Sequence, residues 1–163
     1  MCMLRRYDMK IPNDCRPNRE FKVVLLYEGT GIELPKRGTY FSAGYDLKSA
    51  ETVIIGAGET ALVPTGLKVL LPDNEFLAIY PRSSLAGKYG ITLANCVGVV
   101  DSDYYDNEDN EGHIQVLLKN TTSTDYVVKK GDKIAQGIFQ EYKRVANDWP
   151  VGPRKGGFGS TGK

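Results

Sequence analysis

The sequence has little histidine and little cysteine: one His and three Cys in 163 residues. The cysteines (Cys2, Cys15 and Cys96) are odd in number and show no C-x-x-C spacing. They read as free thiols of a reducing compartment, which argues against a disulfide framework and a zinc centre and points to a cytoplasmic protein. One His without a nucleophile elbow supports no Ser-His-Asp site. An excess of either charge is also missing. The 21 Lys and Arg against 20 Asp and Glu leave a net charge of +1. That excludes a general nucleic-acid binder, whose affinity comes from many phosphate contacts. The basic leader does not change this, because Arg5, Arg6, Arg16 and Arg19 are few and have no interleaved aromatics beyond Tyr7. No apolar run approaches the ~18 residues of a membrane span, and Met1–Asp8 lack the apolar core of a signal peptide. Neither a membrane nor a nucleic-acid partner is expected.

What is present is β texture. Turn signals recur at Glu28–Gly31, Lys36–Gly38, Gly56–Gly58, Pro72–Asn74, Lys130–Asp132 and Asn147–Pro153. Between them lie short runs rich in Val, Ile, Leu, Tyr and Phe. The first strand is expected over Phe21–Tyr27. Over His113–Lys119, Ile114, Val116 and Leu118 face inward and Gln115 and Lys119 outward, with Leu117 breaking the alternation. Tyr126–Val128 and Lys133–Phe139 continue the pattern. No sustained 3.6-residue period occurs, and one short helix is expected over Ser83–Tyr89, ended by Gly90. The fold class is therefore all-β, a barrel or sandwich in one domain. Residues 1–20 read as a poorly ordered leader, 21–146 as the domain and 147–163 as a Pro/Gly-rich C-terminal arm.

Several motifs carry polar chemistry. Gly157–Lys163 (GFGSTGK) matches both G-x-G-x-x-G and a Walker A without its final Ser/Thr. Each of those fingerprints needs a strand before it and a helix after it, and no helix is expected after Lys163. Its glycines, Ser160 and Thr161, with Arg154, Lys155 and Lys163, still suit phosphate. A solvated tail is the ordinary reading of such a segment, yet Phe158 has no use there and would serve a lid over a flat ring. Pro81–Ala86 (PRSSLA) sets Arg82 and two hydroxyls at a strand-to-helix junction, where a serine is often only a cap and an Arg is a ready anion partner. Asn95–Tyr104 (NCVGVVDSDY) runs from apolar residues into a carboxylate pair. The acidic stretch Asp106–Glu111 lacks the EF-hand glycine and reads as a solvated hairpin loop. His113, alone beyond it, reads as structural.

Taken in order, Ala43–Ala50 (AGYDLKSA), Pro81–Ala86, Asn95–Tyr104, Gly131–Gln136 (GDKIAQ) and Gly156–Gly162 (GGFGSTG) resemble the five motifs of the trimeric deoxyuridine triphosphate nucleotidohydrolases (dUTPases), over residues 21–163. The resemblance implies a jelly-roll-like β-barrel with one short helix and a flexible C-terminal arm. It also implies a homotrimer with shared active sites, in which the arm closes over a neighbouring subunit's site. The implied reaction is hydrolysis of dUTP to dUMP and pyrophosphate, with Mg²⁺ bound through the triphosphate and waters rather than by direct protein ligands. Asp101 would activate the attacking water, and Asp46 would support the metal-bound waters. Arg82, Ser83, Ser84 and Gln136 would hold phosphate oxygens. Asn95 and the hairpin backbone around Gly98 would read the uracil edge. Tyr104 would pack on the deoxyribose and reject a 2′-OH. Phe158 would stack on the uracil, with Gly159, Ser160 and Thr161 closing on the phosphates.

Two departures from the family pattern stand out. Tyr105–Glu111 intervene between Tyr104 and Gly112. Arg154 lies four residues before Phe158, where the family's Arg commonly lies five before, so Arg154 or Lys155 is expected at the γ-phosphate. A dCTP deaminase, or a bifunctional deaminase–dUTPase, is the alternative enzyme on the same fold. A regulatory or interaction protein using the scaffold is the alternative of another class.

Overall fold

The computed structural model describes residues 19–149 together with Gly152 and Gly157. In chain order the strands are β1 (Glu20–Val23), β2 (Tyr45–Lys48), β3 (Val53–Ile55), β4 (Thr60–Pro64), β5 (Leu67–Leu70), β6 (Glu75–Pro81), β7 (Ile91–Leu93), β8 (Gly98–Asp101), β9 (Gln115–Asn120), β10 (Tyr126–Val128) and β11 (Lys133–Glu141). Helix α1 (Ser83–Tyr89) joins β6 to β7. Every pairing is antiparallel: β1–β5, β3–β10, β4–β9–β7 and β2–β11–β6–β8. The sheets close on one apolar core, in which Leu47, Val63, Leu71 and Leu77 have no exposed surface. Among the described residues the architecture is the expected jelly-roll-like β-barrel with one short α-helix.

The alternation read in the sequence builds β9. Val116 and Leu118 are buried with Ile114 just before them, while Gln115, Leu117 and Lys119 are half-buried. Leu117 breaks the polar pattern because its cross-strand partner is Leu62, another leucine on the outer side. Tyr126–Val128 and Ser83–Tyr89 form as expected, and α1 stops at Gly90 in the left-handed conformation (φ 64°).

The first strand is shorter than expected. β1 ends at Val23, and Leu25–Tyr27 coil into a 3₁₀ turn. The ladder to β5 runs out at Leu67, and the Leu25 N–H bonds to the Glu111 carboxylate at 2.9 Å instead of a strand. Residues 1–18 of the expected leader lie outside the described residues. Arg19 and Glu20 belong to the barrel: Arg19 forks onto the buried Glu75 carboxylate through two nitrogens, and Glu20 opens β1. At the other end, Tyr142 and Arg144 donate side-chain hydrogen bonds to the Asp73 carbonyl, each at 2.7 Å, and tie the start of the arm to the β5–β6 turn.

One polar side chain fastens three segments. Asn120, fully buried at the end of β9, donates to the carbonyls of Ile55 (3.0 Å), Gly56 (3.1 Å) and Thr124 (2.8 Å). Its Oδ1 accepts from the N–H (3.0 Å) and hydroxyl (2.8 Å) of Thr122. Truncation removes the Asn120 donor from the buried Ile55 carbonyl and the amide bonds to its half-buried and exposed partners, at about 1–3 kcal/mol for an unsatisfied buried group. Asn120→Ala is expected to lower unfolding free energy by about 2–3 kcal/mol, read from the shift in urea midpoint at unchanged m-value.

Candidate active site

Antiparallel partners that lie directly opposite share a face of their sheet. On β2–β11–β6–β8, Asp46 is opposite Gln136 and Gln136 opposite Tyr80, so these three project to one side. Asp101 is opposite Phe76, four residues from Tyr80 on β6, and so projects to that same side. The alternate set, Gly137, Ile79, Gly98 and Val100, projects to the core side. Four residues along the strand and three strands across put Asp101 and Asp46 roughly 20 Å apart.

Asp46, Arg82 and Gln136 come together, and Lys133 joins them. Lys133 Nζ lies 2.7 Å from Asp46 Oδ2 and Arg82 Nε 3.4 Å from Oδ1. One carboxylate against two cations leaves this corner net positive, which suits a polyanion. Gln136 Nε2 donates to the Pro81 carbonyl at 3.3 Å. Gly44 makes room for that amide: a Cβ at position 44 would lie 2.5 Å from Gln136 Oε1. Arg82, Ser84 and Lys133 also border a neighbouring hollow of about 290 Å³ beside α1. The capping expectation for the serines does not hold. Arg82 is the N-cap residue, with no side-chain cap bond, and Ser83 and Ser84 lie exposed in the first turn. Ser83 does not line the hollow.

A second recess of about 240 Å³ is lined by Ile79, Asn95, Gly98, Tyr104, His113 and Gly157, among others. Asp101 ends β8 beside this recess, half-buried, and does not line it. Tyr104 is buried, and its hydroxyl donates to the His113 carbonyl (3.1 Å) and accepts from Asn110 Nδ2 (2.7 Å). Gly157 lies on the Tyr104 ring of its own chain, so close that a Cβ there would sit 2.7 Å from Cε2. A glycine is the only residue that fits this approach.

Residues 105–111 are not the solvated loop that the acidic run suggests. Asn107 is buried and donates to the Tyr104 carbonyl at 2.8 Å. Lys68, itself buried on β5, takes Asp106 at 2.6 Å and Glu111 as ion partners. Burial works against the Lys68 charge, yet its hydrogen bonds to the two carboxylates outweigh this and its pKa rises. Glu111 is held below the usual carboxylate range by Lys68 and by the Leu25 N–H. The Tyr105 ring lies under the ammonium groups of Lys68 (5.1 Å) and Lys22 (5.9 Å).

The dUTPase family profile matches residues 30–162 of this sequence. The chain belongs to the dUTPase family. It is 47% identical over 146 residues to the deoxyuridine 5′-triphosphate nucleotidohydrolase of Lactococcus lactis, covering 88% of this chain and 97% of that protein. It is 43% identical over 150 residues to the Rickettsia canadensis protein of the same name, at 88% and 97% coverage. Among solved structures, the dUTPase of Streptococcus mutans superposes with a TM-score of 0.75 at 42% identity, over 78% of this chain and 98% of that one. A dUTPase of phage phi11 of S. aureus, described with a structural Mg(II) ion, shares the fold at 22% identity and TM-score 0.65, over 80% and 96%.

Within this dUTPase fold, the expected residues Asp46, Arg82 and Gln136 form one cluster. Asn95, Gly98 and Tyr104 form another, and Asp101 stands apart from both. Arg154, Phe158, Gly159, Ser160 and Thr161 lie outside the described residues. Lys133, Asn110 and Gly157 were not singled out from sequence. Lys133 sits inside the GDKIAQ motif and Gly157 in the glycine run, so a signal existed for both. Asn110 had none beyond the unusual length of its loop. Among the described residues no three His, Cys, Asp or Glu side chains gather as metal ligands. The ion-paired Asp46 is the carboxylate beside the cationic corner, a donor set that fits a magnesium ion carried by phosphate oxygens better than a protein cage.

His113 is structural, as expected. It is buried, and its Nε2 accepts the Gly66 N–H at 2.9 Å. Burial pulls its pKa below the usual value, against the opposing pull of Glu51 and Glu111. The unfolded chain then binds the extra proton below about pH 6.5. The stability from neutral His113 is full above that pH and is lost as pH falls toward the folded-state value. The urea midpoint is expected to drop between pH 7.5 and 5.0, and His113→Gln to flatten that part of the slope.

Proposed function

We propose that the chain hydrolyses dUTP to dUMP and pyrophosphate. The observation that carries this reading is the gathering of Asp46, Arg82, Lys133 and Gln136 on the sheet face that also bears Asp101, in a chain whose relatives are dUTPases across its length. The cationic corner and Gln136 bind the triphosphate and neutralise charge as it builds, which is most of what such a displacement needs. Asp101 holds a water and takes its proton while the water oxygen bonds to phosphorus. The bridge between the α- and β-phosphates breaks and pyrophosphate leaves. A magnesium ion brought in on the triphosphate would supply further charge neutralisation, and Asp46 would hold its waters. Asn95 and the backbone near Gly98 read the base in the recess. Tyr104 packs on the deoxyribose, and the C-terminal arm closes the recess with Phe158 over the uracil.

A general base must reach the water it activates. The ~20 Å between Asp101 and Asp46 is too far for one bound nucleotide to use both within one chain. We therefore read the site as shared, with Asp101 and the recess of one subunit facing the cationic corner of another in a homotrimer. The outer face of the β2–β11–β6–β8 sheet, with Val99 60% exposed, supplies surface for that contact. In such an assembly the arm, whose Gly157 lies on its own chain's Tyr104 in the single chain, crosses to a neighbouring subunit's recess instead. The free, exposed thiol of Cys96 suits the cytoplasmic location. No observation favours the dCTP deaminase or the purely regulatory alternative.

With Mg²⁺, pyrophosphate is expected from dUTP and not from dTTP, dCTP or UTP, with no ammonia from dCTP. Asp101→Asn is expected to cut turnover by about 10²–10⁴-fold with dUTP binding retained, as read by calorimetry with a non-hydrolysable analogue. Near-normal turnover in that variant would remove Asp101 from the base role.

A further inference from the structure

Residues 105–111 lengthen the chain between Tyr104 and the glycine that precedes β9, and they turn back onto Tyr104. Asn110 Oδ1 accepts from Asn107 Nδ2 (2.9 Å) and from the Gly112 N–H (3.2 Å). With its oxygen so engaged, the Asn110 amide presents its NH₂ to the Tyr104 hydroxyl at 2.7 Å. The hydroxyl thus receives a donor from Asn110, and its own proton goes to the His113 carbonyl at 3.1 Å. Asn107 holds the other end of the same residue through the Tyr104 carbonyl, and its Oδ1 accepts the N–H groups of Asp109 (3.0 Å) and Asn110 (3.2 Å). The loop is pinned to the barrel through Lys68, with Asp106 and Glu111 both in the left-handed region (φ 54° and 64°). Such backbone in non-glycine residues persists only where the surroundings over-determine it.

The geometry points to Asn110 as a specificity-determining positioning residue, one that fixes the Tyr104 ring against the sugar so that a ribose 2′-OH finds no room. Asn110 is absent from the lining of the recess, and its side-chain NH₂ reaches that recess through Tyr104. The inference rests on the proposed packing of Tyr104 on the deoxyribose. Without Asn110 the ring loses one of its hydroxyl anchors and can tilt within the recess. The loss then falls on discrimination, because a ring that yields by a few tenths of an ångström still contacts deoxyribose but no longer excludes an added oxygen.

The test compares kcat/KM for dUTP and UTP in Asn110→Ala, Tyr104→Phe, their double variant and Tyr104→Leu. Asn110→Ala is expected to raise the UTP/dUTP ratio by roughly fivefold, the equivalent of one hydrogen bond, and Tyr104→Phe, which also gives up the bond to the His113 carbonyl, by at least as much. The double variant is expected to go no further than Tyr104→Phe alone, because both changes break the same contact. Tyr104→Phe leaves the loop's own bonds intact, so it reads the contact even if Asn110→Ala folds poorly. Loss of stability alone would move melting temperature and leave the ratio where it was. An unchanged ratio in Asn110→Ala and Tyr104→Phe, with a raised ratio in Tyr104→Leu, overturns the role of Asn110 and keeps that of Tyr104. An unchanged ratio in Tyr104→Leu overturns both. A rise in Asn110→Ala without one in Tyr104→Phe assigns Asn110 to a route other than the hydroxyl and also overturns the inference.

Discussion

Strand β6 sits between β11 and β8, and its register governs every polar group of the site. Seven consecutive pairs run from Ala135–Pro81 to Glu141–Glu75, with β8 entering from the other side at Phe76–Asp101. Because side chains alternate across a strand, a slip of one residue would turn Gln136 into the core and bring Gly137 to the surface. The packing of Leu77 and Ile79 on the core side makes such a slip costly. Asp46 and Asp101 depend on the same constraint, since each reaches its face only through a partner register fixed on β11 or β6. The catalytic face is thus a by-product of how the opposite face is buried.

Charge is divided along that face in a way that suits the chemistry. The corner at Asp46 carries two cations for one carboxylate, a balance that suits phosphate. Asp101 lies at the far end of the sheet, away from those cations, where a carboxylate can serve as a base instead of a counter-ion. The recess proposed for the base and sugar lies along the edge strand β8, walled by Ile79, Val99 and Tyr104. On the proposed reading, anion binding and water activation are separated within the single chain, which is what assembly would bring together.

Much of this was legible in the sequence, and the reasons differ from element to element. Strand β9 declared itself because one face is buried and the other wet, and α1 because Pro81 and Gly90 bracket it. The five motifs were legible as an ordered set, because their polar residues and glycines recur at the family's spacing. What stayed hidden depended on contacts between distant segments. The end of β1 at Val23 is decided by a carboxylate from residue 111. Asn120 looks like an ordinary polar residue at a strand end, and only the closed barrel shows it holding the carbonyls of Ile55, Gly56 and Thr124. The run Asp106–Glu111 looks solvated by composition, because nothing local reveals a lysine buried on another strand that needs two anions.

That lysine makes the loop a two-part module. Residues 105–111 carry the carboxylates, but their counter-ion sits some 40 positions earlier, on β5. A transplant of the loop alone into another barrel of this kind would import Asp106 and Glu111 without their ammonium partner, and the left-handed turns would have nothing to hold them. The reverse exchange, deleting the loop and keeping Lys68, would strand a buried positive charge beside the core. Loop and lysine therefore act as one unit, each leaving charge uncompensated without the other.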